Sequence, residues 1–201
     1  MKPAERKRIA RAIRSAVPGL REKGRILAAT PRGRLLRGIY LEDTSDPHRV
    51  YVWAFVQPLF VPSTTVVLSL GRRLGNGSRT WAVDDADAAA AAARDEGMPF
   101  FEPVDSAQAL WSLGFLDGRS DEYSREVRAY SLVASGQLYE GAQALRELAR
   151  SLAGGTAWMI EMRKRAEQLA TLAETNPTAA DALLATWESE TVSALRIEDV
   201  P

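Results

Sequence analysis

The chain has 201 residues, enough for one large domain or two small ones, and its 46% hydrophobic and 26% charged residues are those of an ordinary globular protein. It contains no cysteine and a single histidine, His48, which excludes thiol nucleophiles, disulfides, iron–sulfur clusters and cysteine-bearing zinc sites. A formal net charge of zero conceals an asymmetry: residues 1–40 carry 12 Lys+Arg against 2 Asp+Glu, or +10, leaving 14 against 24, or −10, for residues 41–201.

At the N-terminus, Ile9, Ile13 and Val17 recur every four residues while Arg6, Lys7, Arg8, Arg11 and Arg14 cover the other faces. This pattern predicts a short amphipathic helix seated on something apolar. The stretch is also basic and acid-poor in the manner of an organellar presequence, but the apolar stripe favours a folded helix, and without an apolar h-region no secretory signal is expected. The alanine- and arginine-heavy composition is that of a GC-rich bacterial source, so a cytoplasmic protein is expected. Next, "RILAAT" and "RLLRGIYLE" flank Thr30-Pro31-Arg32-Gly33, a turn with Pro where φ must be preset and Gly at its close, and so predict a hairpin. His48 follows in "SDPHRV". A Ser-His-Asp triad would have to use it, and the turn-like context favours a surface loop instead.

The 22 residues from Val50 to Gly71 contain no charge, yet Pro58, Pro62 and the polar run Ser63-Thr64-Thr65 argue against a membrane span. In Val50–Gln57 both alternating faces are apolar, as in a central or doubly covered strand. Thr65–Gly71, with Val66, Leu68 and Leu70 on one face, reads as a half-buried strand pairing with it. Pro58 marks a bulge before Leu59-Phe60-Val61, and Trp53 and Phe55 are expected to be largely buried under helical cover. Asn76-Gly77 then offers a tight turn before a short last strand, Thr80–Val83. Asn76-Gly77-Ser78 also matches a glycosylation acceptor and Gly75-Asn76-Gly77 a phosphate loop. Nothing indicates secretion, and a phosphate loop would open a helix and carry a lysine.

In "VDDADAAAAAARDEG", Asp84, Asp85 and Asp87 are near enough in sequence to hold a divalent cation. The favoured reading is an Asp-capped helix with Gly97 as its stop, so no metal or other cofactor is assigned. "MPFFEPV" reads as a Pro-bounded linker and Asp105–Leu113 as a short helix. From Ser120 onward the period is helical throughout, with Ser120, Thr156 and Asn176 as caps and four helices ending near Gly136, Gly154, Thr175 and Arg196. The fold class is therefore α+β: an N-terminal helix and a small antiparallel sheet of four to five strands with covering helices, then a four-helix C-terminal region. The proposed modules are 1–119 and 120–201, with one compact unit as the alternative.

Within "AYSLVASGQLYEGAQALRELA", Ala129 and Leu132, then Gly136 at the turn, then Leu138, Gly141 and Leu145 resemble a tetratricopeptide-type helical hairpin over residues 121–152. That resemblance implies helix-pair packing with a groove for a peptide or partner surface. Gly141 stands where the family usually has Ala, and the pair over 157–195 lacks the signature positions.

Two functional classes follow. The first is a non-enzymatic interaction protein of adaptor, regulatory or immunity-like type, presenting Arg6, Lys7, Arg11, Arg14, Arg32 and Arg34 to an acidic protein surface. The alternative is a nucleic-acid binder using the same Arg-rich segment, with Arg8, Arg25 and Arg37 added. An enzyme would have to rely on groups such as Glu42, Asp43 and Tyr40 with Arg72 and Arg73, and no spacing singles out a catalytic pair. Tyr51, Trp53 and Phe55 suit a core better than a ligand pocket.

Overall fold

A computed structural model describes residues 1–198. The chain divides into two compact units, the first made of 1–57, 66–105 and 196–198, the second of Pro58–Thr65 and Ser106–Leu195. No helix among the described residues is long and apolar enough to cross a membrane.

The first unit opens with α1 (Pro3–Ala16), whose Glu5 carboxylate accepts from Lys2 N at 3.1 Å and so caps the helix. Ile9, Ala10, Ile13 and Val17 are buried, as the four-residue recurrence requires. A six-stranded antiparallel sheet follows: β1 (Arg21–Lys23), β2 (Ile26–Arg32), β3 (Leu35–Asp43), β4 (Arg49–Pro58), β5 (Gly71–Arg73) and β6 (Trp81–Ala82). The first four lie in sequence order, and β5 and β6 both pair with β4. The sixth strand arises because one edge strand is cut in two. Gly71–Arg73 pairs with Phe55–Trp53, Leu74 N donates to Val52 O at 2.8 Å, and the chain returns as Trp81 opposite Val50. Asn76 and Gly77, at φ 63° and 76°, turn the excursion between them.

The β2–β3 hairpin forms, but its turn is Gly33-Arg34, both at positive φ (54° and 64°), between paired Arg32 and Leu35. Pro31 lies instead in β2, where the register shifts between Ala29 and Arg32. A residue without an N–H is tolerated at such an irregularity. A second departure concerns Thr65–Gly71, where the expected strand is confined to its last residue and Leu68–Leu70 form a 3₁₀ turn. The Gln57 side chain supplies the cause. Its Oε1 accepts from Val67 N at 3.1 Å, a role that ladder pairing would have given to a backbone carbonyl. Strand β4 ends at Pro58, with no continuation through Leu59–Val61. Phe55 is fully buried, while Trp53 is only half-buried.

One sheet face is packed by α2 (Ala86–Ala92), a π turn (Ala93–Gly97) and α3 (Met98–Phe101), which run on without a break. Gly97 is thus not a stop, nor is Met98–Phe101 a linker. A Cβ on Gly97 would lie 2.9 Å from Ile39 Cδ1, so this glycine lets helix and sheet approach closely. At the front of this layer Asp85 Oδ2 accepts from Ala82 N at 3.0 Å.

The second unit comprises α4 (Ala107–Ser112), α5 (Glu122–Ala134), α6 (Leu138–Ser151), α7 (Ala157–Thr175) and α8 (Pro177–Leu195). The last four are the expected helices, with ends within three residues of those read from sequence. The first is capped by Asp121 and not Ser120, with Asp121 Oδ1 accepting from Ser124 N at 3.0 Å. Thr156 occupies its cap position without a side-chain bond, whereas Asn176 Oδ1 accepts from Ala179 N at 3.1 Å. Helices α5 and α6 meet at Gly141, where a Cβ would stand 2.6 Å from Val133 Cγ2. Tyr130 of α5 stacks on Trp187 of α8 with ring centroids 5.3 Å apart. The segment from Pro58 is tied to α8 by Thr191, whose Oγ1 accepts from Ser63 N at 3.3 Å.

Candidate partner-binding surface

Four of the six arginine and lysine residues assigned to partner binding come together. Arg6, Lys7, Arg11 and Arg14 line one open groove of about 510 Å³ between α1 and the β1–β2 turn, with Glu22 on its wall. On the other flank of α1, Arg8 and Arg11 face Arg94, Asp84 and Asp87 over the alanine surface of α2, around a groove of about 560 Å³. Arg32 and Arg34 line neither groove; they sit at the end of the β2–β3 hairpin.

Internal pairing divides these cations. Arg6 Nη1 lies 3.7 Å from Asp43 Oδ1, a carboxylate shared with Arg25 and the terminal amine, the latter at 3.5 Å. Arg14 Nη1 lies 3.6 Å from Glu22 Oε2, and its Nε donates to Leu20 O at 3.3 Å. By contrast, the side chains of Lys7, Arg8 and Arg11 are exposed and form no hydrogen bond or ion pair among the described residues.

Arg37 departs from the surface reading altogether. It is 3% exposed, because it alternates with Leu35, Ile39 and Leu41 on the helix-covered face of β3. Its Nη1 donates to the carbonyls of Phe101, Glu102 and Val104 at 3.4, 3.2 and 3.1 Å, and its Nη2 to Thr30 O at 3.4 Å. Burial, helped by the neighbouring Arg32 charge, lowers its pKa from the ordinary arginine value. That alternation is visible in the sequence, and only the weight of surrounding positive charge hides it.

Of the groups an enzyme would need, Glu42 and Arg73 come together while Asp43 lies apart from them. Glu42 and Asp43 occupy opposite faces of β3: Asp43 turns to Arg6 of α1 and to Arg25, while Glu42 Oε2 accepts from Trp53 Nε1 at 2.8 Å and from Arg73 Nη2 at 3.4 Å. The Arg73 guanidinium lies 3.9 Å from the Tyr51 ring centroid and 4.8 Å from that of Trp53. A cation and two rings, not a helix, therefore occupy the Trp53 face. His48 is exposed in its loop, its Nδ1 3.5 Å from Glu5 Oε1. Asp85 caps the 3₁₀ turn before α2 and faces Arg49 at 3.7 Å, and among the described residues no three metal-ligating side chains converge.

The second unit holds an ion pair the sequence reading passed over. Glu126 on α5 is 2% exposed, and its Oε1 accepts from Arg165 Nη2 on α7 at 3.1 Å. Burial pushes the Glu126 carboxyl up, against the opposing pull of Arg165, and burial likewise raises the Tyr123 and Tyr130 hydroxyls beside it. No known family model, curated protein or solved structure matches the chain.

Proposed function

We propose that this is a non-enzymatic interaction protein, of adaptor, regulatory or immunity-like character, whose α1 docks against an acidic protein surface in the bacterial cytoplasm. The observation that carries this reading is the unpaired, exposed trio Lys7, Arg8 and Arg11, in a chain with as many acidic as basic residues. Had the charge served only internal balance, these cations would be paired as Arg6 and Arg14 are. The grooves beside α1 also contain Glu22, Asp84 and Asp87. Such mixed charge suits a protein surface better than a phosphate backbone, which those carboxylates repel. The tetratricopeptide-type resemblance of α5 and α6 is consistent with a second contact region for the same class of partner.

The test is the combined variant Lys7→Glu, Arg8→Glu and Arg11→Glu, assayed by capture of the partner from native cell extract with and without nuclease. The wild-type protein should retain a nuclease-resistant protein partner and lose it as salt rises. The variant should lose it at low salt, with Tm shifted by no more than about 2 °C, because exposed charges contribute little to stability. Retention by the variant sinks the reading, and loss of the partner on nuclease treatment transfers the surface to nucleic acid.

A further inference from the structure

Asn76 and Gly77 turn the excursion between β5 and β6, and the fold restrains neither. Asn76, Gly77 and Ser78 are exposed, and among the described residues the Asn76 side-chain amide forms no hydrogen bond and Gly77 N donates to no acceptor. Only the ends of the excursion are tied to the rest of the unit: Gly75 N donates to Glu96 Oε2 at 3.1 Å, and Arg49 Nη2 donates to Thr80 O at 2.7 Å. Across the turn itself the sole hydrogen bond among the described residues is Arg79 N to Gly75 O, at a long 3.4 Å. A Cβ on Gly77 would meet nothing within 4 Å, so neither a side chain nor a packed neighbour shields the Gly77 nitrogen.

Those are the conditions in which an asparagine is attacked by the backbone nitrogen that follows it. The Gly77 nitrogen bonds to Asn76 Cγ, the Cγ–Nδ2 bond breaks, and Nδ2 leaves as ammonia with the proton of the Gly77 N–H. Water then opens the five-membered imide. Entry at Cγ leaves aspartate, and entry at the main-chain carbonyl leaves isoaspartate, with the chain running through the former side chain. Ring closure requires the Asn76–Gly77 peptide plane to turn, a motion that ladder or helix hydrogen bonds would oppose and that this turn leaves open. The chain's other asparagine, Asn176, is excluded: Pro177 after it has no N–H to attack with, and its Oδ1 accepts from Ala179 N at 3.1 Å. The products fit the fold as well. Aspartate tolerates the positive φ of Asn76 as asparagine does, and the extra backbone carbon of isoaspartate falls between two strands that pair with β4 separately. We propose that Asn76 is a site of spontaneous deamidation in the folded chain, consuming water and releasing ammonia, so that the formal net charge of zero becomes −1 as the protein ages.

The test ages the full chain at neutral pH and constant temperature beside the synthetic peptide Leu74–Arg79, which serves as the unrestrained standard. Trypsin cuts after Arg73 and Arg79 and so releases the same segment from the protein; an unaged sample digested alongside sets the zero. Asn76 in the folded chain should convert within about tenfold of the peptide's rate, equivalent to a turn-opening cost of at most about 1.4 kcal/mol. Aspartate and isoaspartate should both appear in segment 74–79, with an acidic isoform of the intact chain growing at the same rate on ion exchange. Segment 166–196, which carries Asn176, should be unchanged. Asn76→Gln, whose ring would have six members and closes far more slowly, should remove the acidic isoform. Conversion more than about tenfold slower than in the peptide, or an acidic isoform undiminished in Asn76→Gln, overturns the proposal.

Discussion

Gly38→Ala is expected to cost about 4 kcal/mol and to leave the first unit unfolded or nearly so. Gly38 sits in the middle of β3 opposite Ala28, at φ +151°. A Cβ built there would stand 2.1 Å from Leu27 O and 3.1 Å from Ala28 Cα. Both are backbone atoms of β2, so no rotamer change relieves the overlap, and moving β2 breaks its pairing with β3. Gly24 provides the control: its φ is +62°, but a Cβ there would meet nothing within 4 Å. Gly24→Ala should therefore cost only the backbone term, about 1–2 kcal/mol. Urea unfolding followed by circular dichroism measures both, and a Gly38→Ala protein within about 1 kcal/mol of wild type would show that the sheet is not held in this register.

The contrast between these glycines marks where sequence reading works in this chain and where it stops. Repeats along a single element were legible. Ile9, Ile13 and Val17 announce α1, and the aliphatic Val50, Val52, Ala54 and Val56 announce the buried face of β4, whereas Tyr51 and Trp53 on the other face are half-buried beneath Arg73. The short polar or Gly breaks between α5, α6, α7 and α8 were legible as well. Features set by a partner distant in sequence were not. Gly97 looks like a C-terminal stop because its neighbour across the sheet, Ile39, lies far away in the chain. Val66, Leu68 and Leu70 alternate as a strand does, but Gln57 bonds the backbone there and leaves a 3₁₀ turn. Of the basic surface, the stripe on α1 could be placed because helical periodicity fixes faces. Which cations are spare depends on where Asp43 and Glu22 arrive, and that is a tertiary fact.

Arg165→Met is expected to destabilise the second unit by about 3–4 kcal/mol at pH 7, because it strands the Glu126 carboxylate in the interior. Glu126 is 2% exposed and Arg165 Nη2 is the cation that bonds it, at 3.1 Å. Even with this partner, burial holds the Glu126 pKa above the ordinary glutamate value of 4.5. The folded chain therefore keeps a proton that the unfolded chain has already released. Stability from this group is fully present below about pH 4.5 and falls as pH rises through the folded pKa. Without Arg165 the folded pKa climbs further, so the fall should become larger and extend to higher pH. Glu126→Gln removes the titration and should flatten that part of the profile, at the cost of leaving Arg165 without its anion. Glu126→Met with Arg165→Met removes both charges and should recover most of the lost stability, since two apolar side chains of similar length replace a costly buried pair. Urea midpoints at about pH 5 and pH 8 separate these outcomes. If Arg165→Met is no less stable than wild type at the higher pH, or if its deficit is the same at both, then Glu126 is hydrated in the folded chain and the buried-pair account of the α5–α7 contact fails.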